Sequence, residues 1–411
     1  MKKHALAWAL LAASLWLAGA PRSDAVGAVV STPGGKASGA SAADAASSWT
    51  FDPILRLLGA DLGVGYRGLS LLPGTRTTFW IYGGGGYEGE HYYRDQNGAV
   101  LSPGQIGSGG VPAANADPSF FRIEAAWRLG IEQGLAWNPR TSTNLWEAFF
   151  FYRGRYDLNQ PPAGALLTNA ALGDVPGRDS SFLNVLQIGF GYDDLLTDSH
   201  RVRSGISAET TVEWGPPWLF NTIQGASDFV RFNAAFTWFV PLFDAAPERS
   251  QNLFSVYAGE YLSADYAIGL GGTPVPLSIR QSFGGRTQNT GLGAQVRGVD
   301  KAGYDTNLKA VNNIEVRANL LALPMPDSLS GLIPQIIPGV LAYFDCGLYG
   351  QVGEPGVSSP SRGFVAATGA GVYVEVPRRG SLLAYVEYRL DRANAAGDRL
   401  RLLVLEFGMQ F

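Results

Sequence analysis

The sequence predicts an all-β fold, a transmembrane antiparallel β-barrel of about 14–16 strands, and three observations carry that expectation. First, near its end Leu403, Leu405, Phe407, Met409 and Phe411 alternate with Leu402, Val404, Glu406, Gly408 and Gln410. A strand with that pattern shows one apolar face and one mixed face, and this one stops on an aromatic carboxyl terminus. Second, the opposite end reads as an export signal. Third, period-two alternation recurs in segments long enough to cross a membrane, and no later segment has the pattern of a long amphipathic helix.

The export signal opens with Lys2 and Lys3, continues through an uncharged apolar stretch from Ala5 to Ala20, and reaches the small-x-small site Ser23-Asp24-Ala25. An earlier site, Ala18-Gly19-Ala20, is followed by Pro21, a poor residue after a cleavage point, so residues 1–25 are assigned to the signal and the mature start to Val26. Residues 26–48, rich in Ala, Gly and Ser, read as a flexible leader with too little hydrophobicity to fold. Residues 49–411 are left for the barrel.

Composition agrees. Only 16% of the 411 residues are charged, 53 are Gly and 12% are aromatic, which suits many strands, tight turns and aromatic girdles. A net charge of −4 provides no basic footprint for nucleic acid. Cys346 is the single cysteine and has no partner for an intramolecular disulfide.

Strands are expected near 62–71, 76–88, 119–133, 144–156, 181–194, 201–214, 227–241, 251–263, 308–322, 337–351, 362–376, 381–391 and 399–411. The 227–241 segment is the clearest, with Val230, Phe232, Ala234, Phe236, Trp238 and Val240 in one row. Counting back from a periplasmic carboxyl terminus, the connections 72–75, 134–143, 195–200, 242–250 and 377–380 are short and periplasmic, and 89–118, 157–180 and 264–307 are long and external, the asymmetry such barrels show. The Pro-rich connection 323–336 departs from it. These segments number thirteen, and an antiparallel barrel closes on an even count, so either residues 49–59 supply a strand or one lies within a long connection.

Little points to catalysis. Gly63-Val-Gly65-Tyr-Arg-Gly68 matches G-x-G-x-x-G but falls within a strand with no helix after it, so it is no dinucleotide fingerprint. Gly83 to Gly86 reads as a place where strands pack without side chains. Beyond the signal, the histidines are His91 and His200, in or beside connections, and no G-x-S-x-G accompanies them. The same scarcity argues against a metal site, and no cofactor is expected.

Parity places charges on an inner wall. Asn313, Glu315, Arg317 and Asn319 share one face, opposite Ile314, Val316, Ala318 and Leu320. Tyr343, Asp345, Gly347 and Tyr349 point inward by the same rule, and Val340, Ala342, Phe344, Cys346 and Leu348 outward. Tyr373, Glu375, Tyr385, Glu387, Arg389 and Glu406 complete the inner wall.

Five segments then occur in a telling order: Phe283-Gly284-Gly285, Val296-Arg297-Gly298, Asn313-Ile314-Glu315-Val316-Arg317, Tyr343-Phe344-Asp345-Cys346-Gly347 and Gly369-Ala370-Gly371. Over about residues 250–411 the chain resembles BamA/TamA-like barrels of the bacterial surface antigen superfamily, the outer-membrane insertases and secretion translocators. The resemblance implies that the Arg-Gly loop folds back into the lumen and that Arg297, followed by Gly298, pairs with Asp345. Two residues depart from the pattern: Val299 stands in place of an aromatic, and Tyr373 where an arginine is common. The soluble periplasmic (POTRA) repeats that precede such barrels have no room in residues 26–60, so the chain resembles a barrel-only member.

The implied function is assistance in inserting or exporting a polypeptide or lipid across the outer membrane. Its expected partners are outer-membrane lipids, the outer-membrane assembly machinery and a separate periplasmic protein. A passive channel or structural barrel is the alternative, which the sequence does not separate from the first. Phe407, Met409 and Phe411 form the expected assembly signal. Deleting Phe411 should leave export intact and slow membrane insertion, read as the rate at which the folded, heat-modifiable gel form appears.

Overall fold

The computed structural model describes residues 49–56, 59–91, 119–161, 165, 178–197, 203–223, 226–245, 254–286, 289–299, 306–326, 335–353, 362–376, 380–390 and 400–407. Fourteen strands run in one antiparallel path: β1 (Trp49–Arg56), β2 (Gly59–Leu69), β3 (Thr77–His91), β4 (Ser119–Asn138), β5 (Thr143–Gln160), β6 (Ser180–Asp193), β7 (Arg203–Gly215), β8 (Phe229–Asp244), β9 (Ser255–Gly269), β10 (Leu308–Asn319), β11 (Gln335–Gly350), β12 (Arg362–Val376), β13 (Gly380–Arg389) and β14 (Leu400–Phe407). Two-residue strands at Leu196–Thr197 and Leu323–Pro324 pair off that path. Each strand pairs with its predecessor and successor in sequence, and among the described residues no ladder joins β1 to β14.

The even count comes from β1. Its eight residues pair with β2 from Trp49↔Tyr66 to Arg56↔Gly59, in the 49–59 stretch that the strand pattern left open. Two boundaries differ most from the sequence expectation. β9 continues to Gly269, held by β8 as far as Phe229↔Gly269, so the long connection begins at 270 rather than 264. β4 extends to Asn138 because Ala136, Trp137 and Asn138 stay paired with β5 across a bulge. Gly63-Val-Gly65 lies in β2, where added Cβ atoms would run into the rings of Tyr82 and Trp80 from β3. The glycines are beds for those rings.

The sheet is polar inside and apolar outside. On β10 the inward row Lys309, Val311, Asn313, Glu315, Arg317 and Asn319 is buried, and Leu308, Ile314 and Val316 in the other row are exposed. β11 repeats this, with Tyr343, Asp345 and Tyr349 buried and Val340, Phe344 and Leu348 exposed. Ile188 is 61% exposed, Leu348 57% and Val372 56%, whereas Arg231 and Asp345 are at 0%. In water this inverts the usual economy of burial; in lipid it is the normal one.

At the end of β14 the chain register sets Phe407 opposite Leu382 and Glu406 opposite Leu383, and shifts between Tyr385 and Glu387. Met409 and Phe411 lie outside the described residues.

One tight connection at that same end of the sheet is closed by charge. Asn138 Nδ2 donates to Asp194 Oδ1 at 2.6 Å and Arg140 Nη2 to Asp194 Oδ2 at 2.5 Å, tying the β4–β5 turn to the residue after β6. Arg140 first, and then Asn138, hold the Asp194 carboxyl below its usual range. A carboxyl with a depressed folded pKa stabilises above the unfolded value of about 3.9, and that contribution fades as pH falls through the folded value. Asp194→Asn should therefore lower Tm at neutral pH and match the parent in strong acid. An equal deficit at both pH values would mean that shape, not charge, holds the turn.

Candidate functional site: the loop inside the barrel

The described residues between β9 and β10 lie across the concave face of the sheet. They contain two one-turn helices, α1 (Leu277–Arg280) and α2 (Leu292–Gln295), and a two-residue ladder in which Ser282–Phe283 pairs with Asn289–Thr290. All four residues of α1 are buried. Apolar contact holds the part nearest β10. Phe283, Leu292, Val296 and Val299 from the loop cluster with Val311, Tyr349, Val365 and Ala367 from β10, β11 and β12.

Arg297 follows directly. Its Nε donates to Asp345 Oδ2 at 2.7 Å and Nη2 to Oδ1 at 2.9 Å, a bidentate pair, and Nη1 donates to Glu315 Oε2 at 2.8 Å. The backbone N–H of Arg297 also reaches Asp345 Oδ2, at 3.1 Å. Its guanidinium carbon sits 3.4 Å from the centroid of the Tyr343 ring. Glu315 in turn accepts from Arg317 Nε, so Asp345, Arg297, Glu315 and Arg317 alternate in sign and sum to zero. Their side chains are all 2% exposed or less.

Gly298 turns the chain away from this cluster at φ +78°. A Cβ there would lie 1.8 Å from Glu387 Oε1, so both conformation and space call for glycine. Arg389 Nη1 donates to the Gly298 carbonyl at 2.5 Å. Glu387 and Arg389 thus meet the loop at Gly298. Glu375 is only half-buried and stands outside the cluster. The two departures from the family pattern each have a place: Val299 joins the apolar cluster, and Tyr373 lies under Arg317, 5.2 Å from the guanidinium carbon to the ring centroid.

A second anchor, which the sequence reading missed, lies on the opposite wall. Arg286 pairs with Glu147 of β5, with Glu209 of β7 at 3.2 Å and with Glu132 of β4 at 3.6 Å, and stacks 4.6 Å over Phe149. Around it the loop backbone is recognised atom by atom. The Gly285 carbonyl accepts from Arg153 at 2.9 Å and Gln187 at 2.7 Å, the Arg286 carbonyl from Arg128, the Ser282 carbonyl from Arg231, and the Arg280 carbonyl from Lys309 at 3.0 Å. The N–H groups of Gly284 and Arg286 donate to Asp265 and Glu209, each at 2.5 Å. The arrangement joins β4, β5 and β7 on one side of the interior to β10, β11 and β13 on the other. The signal for Arg286 was present in its place right after Phe283-Gly284-Gly285, but its carboxylates are spread over three strands and cannot be grouped by spacing.

No protein-family profile matches the chain, and no curated protein sequence does. Among solved structures, BamA from Haemophilus ducreyi lacking POTRA domains 1–3 is similar at TM-score 0.45 and 12% identity, over 87% of this chain and 63% of that one. The chain thus spans less than two thirds of that molecule's length.

Truncating one member of a buried ion pair strands the other, at a cost of about 3 to 5 kcal/mol. Arg297→Ala and Asp345→Ala should each speed amide exchange across 277–299, and the double variant should exceed neither by much, since the pair acts as a unit. Arg286→Ala shares no partner with Arg297, so combining those two should add. Additivity within the first pair, or its absence in the second, would overturn this assignment of anchors.

Proposed function

We propose that the chain is a bacterial outer-membrane barrel that assists the insertion or export of another molecule, a polypeptide or a lipid, with residues 1–25 as its signal, 26–48 as a leader and 49–411 as the barrel. The observation that carries the reading is the position of the loop. Its described residues lie against the concave side of a sheet whose outward rows are apolar, while β1 and β14 stand unpaired with each other among the described residues.

A loop so held blocks free diffusion. Arg297, Gly298 and Asp345 act in this reading as the latch, with Glu315, Arg317, Glu387 and Arg389 as its supporting wall. A weak seam between the first and last strands can open sideways, and its free edges can template a client strand. The five ordered segments shared with BamA/TamA-like barrels support the same conclusion.

Two measurements test it. Fractionation should place the protein with outer membranes, running faster on gels when unboiled, and recovery as a soluble periplasmic protein would sink the reading. In planar bilayers the wild type should pass small, unsteady currents that rise in Arg297→Ala. A large steady conductance in the wild type would favour the passive channel instead.

A further inference from the structure

The outer face of the sheet carries a polar residue that the strand pattern would give to the apolar side. On β6, Ser181, Leu183, Val185 and Gln187 face inward and Phe182, Leu186, Ile188 and Phe190 face outward. Asn184 belongs to the outward row, yet it is 1% exposed. What covers it is the connection after β7.

The β6–β7 ladder stops at Leu186↔Trp214, so the edge of Asn184 facing β7 has no strand beside it. The carboxamide of Asn221 takes that place. Asn184 N donates to Asn221 Oδ1 at 2.7 Å, and Asn221 Nδ2 donates to Asn184 O at 2.8 Å and to Pro216 O at 2.9 Å. The Asn184 side chain is closed as well, its Nδ2 donating to Leu219 O at 2.9 Å and its Oδ1 accepting from Tyr152 OH at 2.7 Å.

The connection also bonds to itself in part. Pro216 and Pro217 have no N–H to satisfy. The carbonyls of Pro216, Phe220 and Asn221 accept from Leu219, Ile223 and Ser227 at 3.2, 3.1 and 2.9 Å. Residues 216–227 include no charged side chain. The segment leaves Trp218, Phe220 and Ile223 exposed at 62%, 66% and 48%, and Trp218 meets the outward Trp214 edge-on at 5.9 Å.

We propose that the β7–β8 connection is a lipid-embedded wedge: Pro216–Ile223 lies at the headgroup–acyl boundary of the outer leaflet, with Trp218, Phe220 and Ile223 against lipid. The occupant is lipid because the patch continues the apolar outward wall through Trp214 and is uncharged. The inference rests on the membrane reading above and adds that a loop, not only strands, is immersed.

The test places single cysteines at 218, 220 and 223 in a Cys346→Ser background, with Ile188→Cys in the wall and Ser142→Cys in a β4–β5 turn as references. Each is labelled with an environment-sensitive fluorophore in phosphatidylcholine vesicles, and quenching by bromine-labelled acyl chains is compared with quenching by aqueous iodide. Labels at the three loop positions should behave like that at 188, blue-shifted and quenched by bromolipid. Should Trp218→Cys fail to assemble, Ile223→Cys carries the same reading. Iodide quenching at the loop with bromolipid quenching at 188 overturns the wedge and leaves the membrane reading standing. Iodide quenching at 188 as well removes the membrane reading itself. Shielding of the loop from both quenchers points to a second copy or another protein on this face and likewise overturns the wedge.

Discussion

Charge buried without water must be answered by a partner, and the interior of this sheet is arranged around that requirement. Arg231, Glu213, Asp265, Lys309 and Asp345 are all at 0% or 1% exposure. The wall pairs them in part, with Arg231 2.9 Å from Asp265 and 3.5 Å from Glu213, but strands alone leave donors and acceptors over. Loop carbonyls at 280, 282, 285 and 286 and loop N–H groups at 284 and 286 take them up. Wall and loop therefore complete each other, and neither would be tolerable dry without the other.

The two anchors solve this differently. Around Arg297 the alternating chain is neutral, and the guanidinium is 2% exposed. Around Arg286 three carboxylates face one guanidinium whose side chain keeps 26% exposure. The Arg297 anchor is thus the more deeply buried of the two.

The outer face obeys the same rule under stricter terms. Glu260 on β9 stands in an outward row, and Trp238 Nε1 and Asn312 Nδ2, the latter at 2.8 Å, both donate to it. Asn184 is sealed by Asn221 and Leu219. Glu260 is thus met by neighbours from adjoining strands, and Asn184 by a connection folded beside it.

Alternation by itself determined most of the wall. Parity placed Glu315, Arg317, Tyr343, Asp345, Glu387 and Arg389 inside and Ile314, Phe344 and Leu348 outside, because a strand repeats every two residues whatever it packs against. Strand ends were less legible, since β9 and β4 run on for as long as their neighbours pair with them, which is a property of register and not of composition. The match of Arg297 with Asp345 came from motif order, and the geometry brings the two side chains to 2.7 Å. Arg286, Asn221 and the placing of Glu387 beside Gly298 depended on tertiary structure alone. The partners of Arg286 come from strands far apart in sequence, and only the curvature of the sheet around the loop brings those strands to one point.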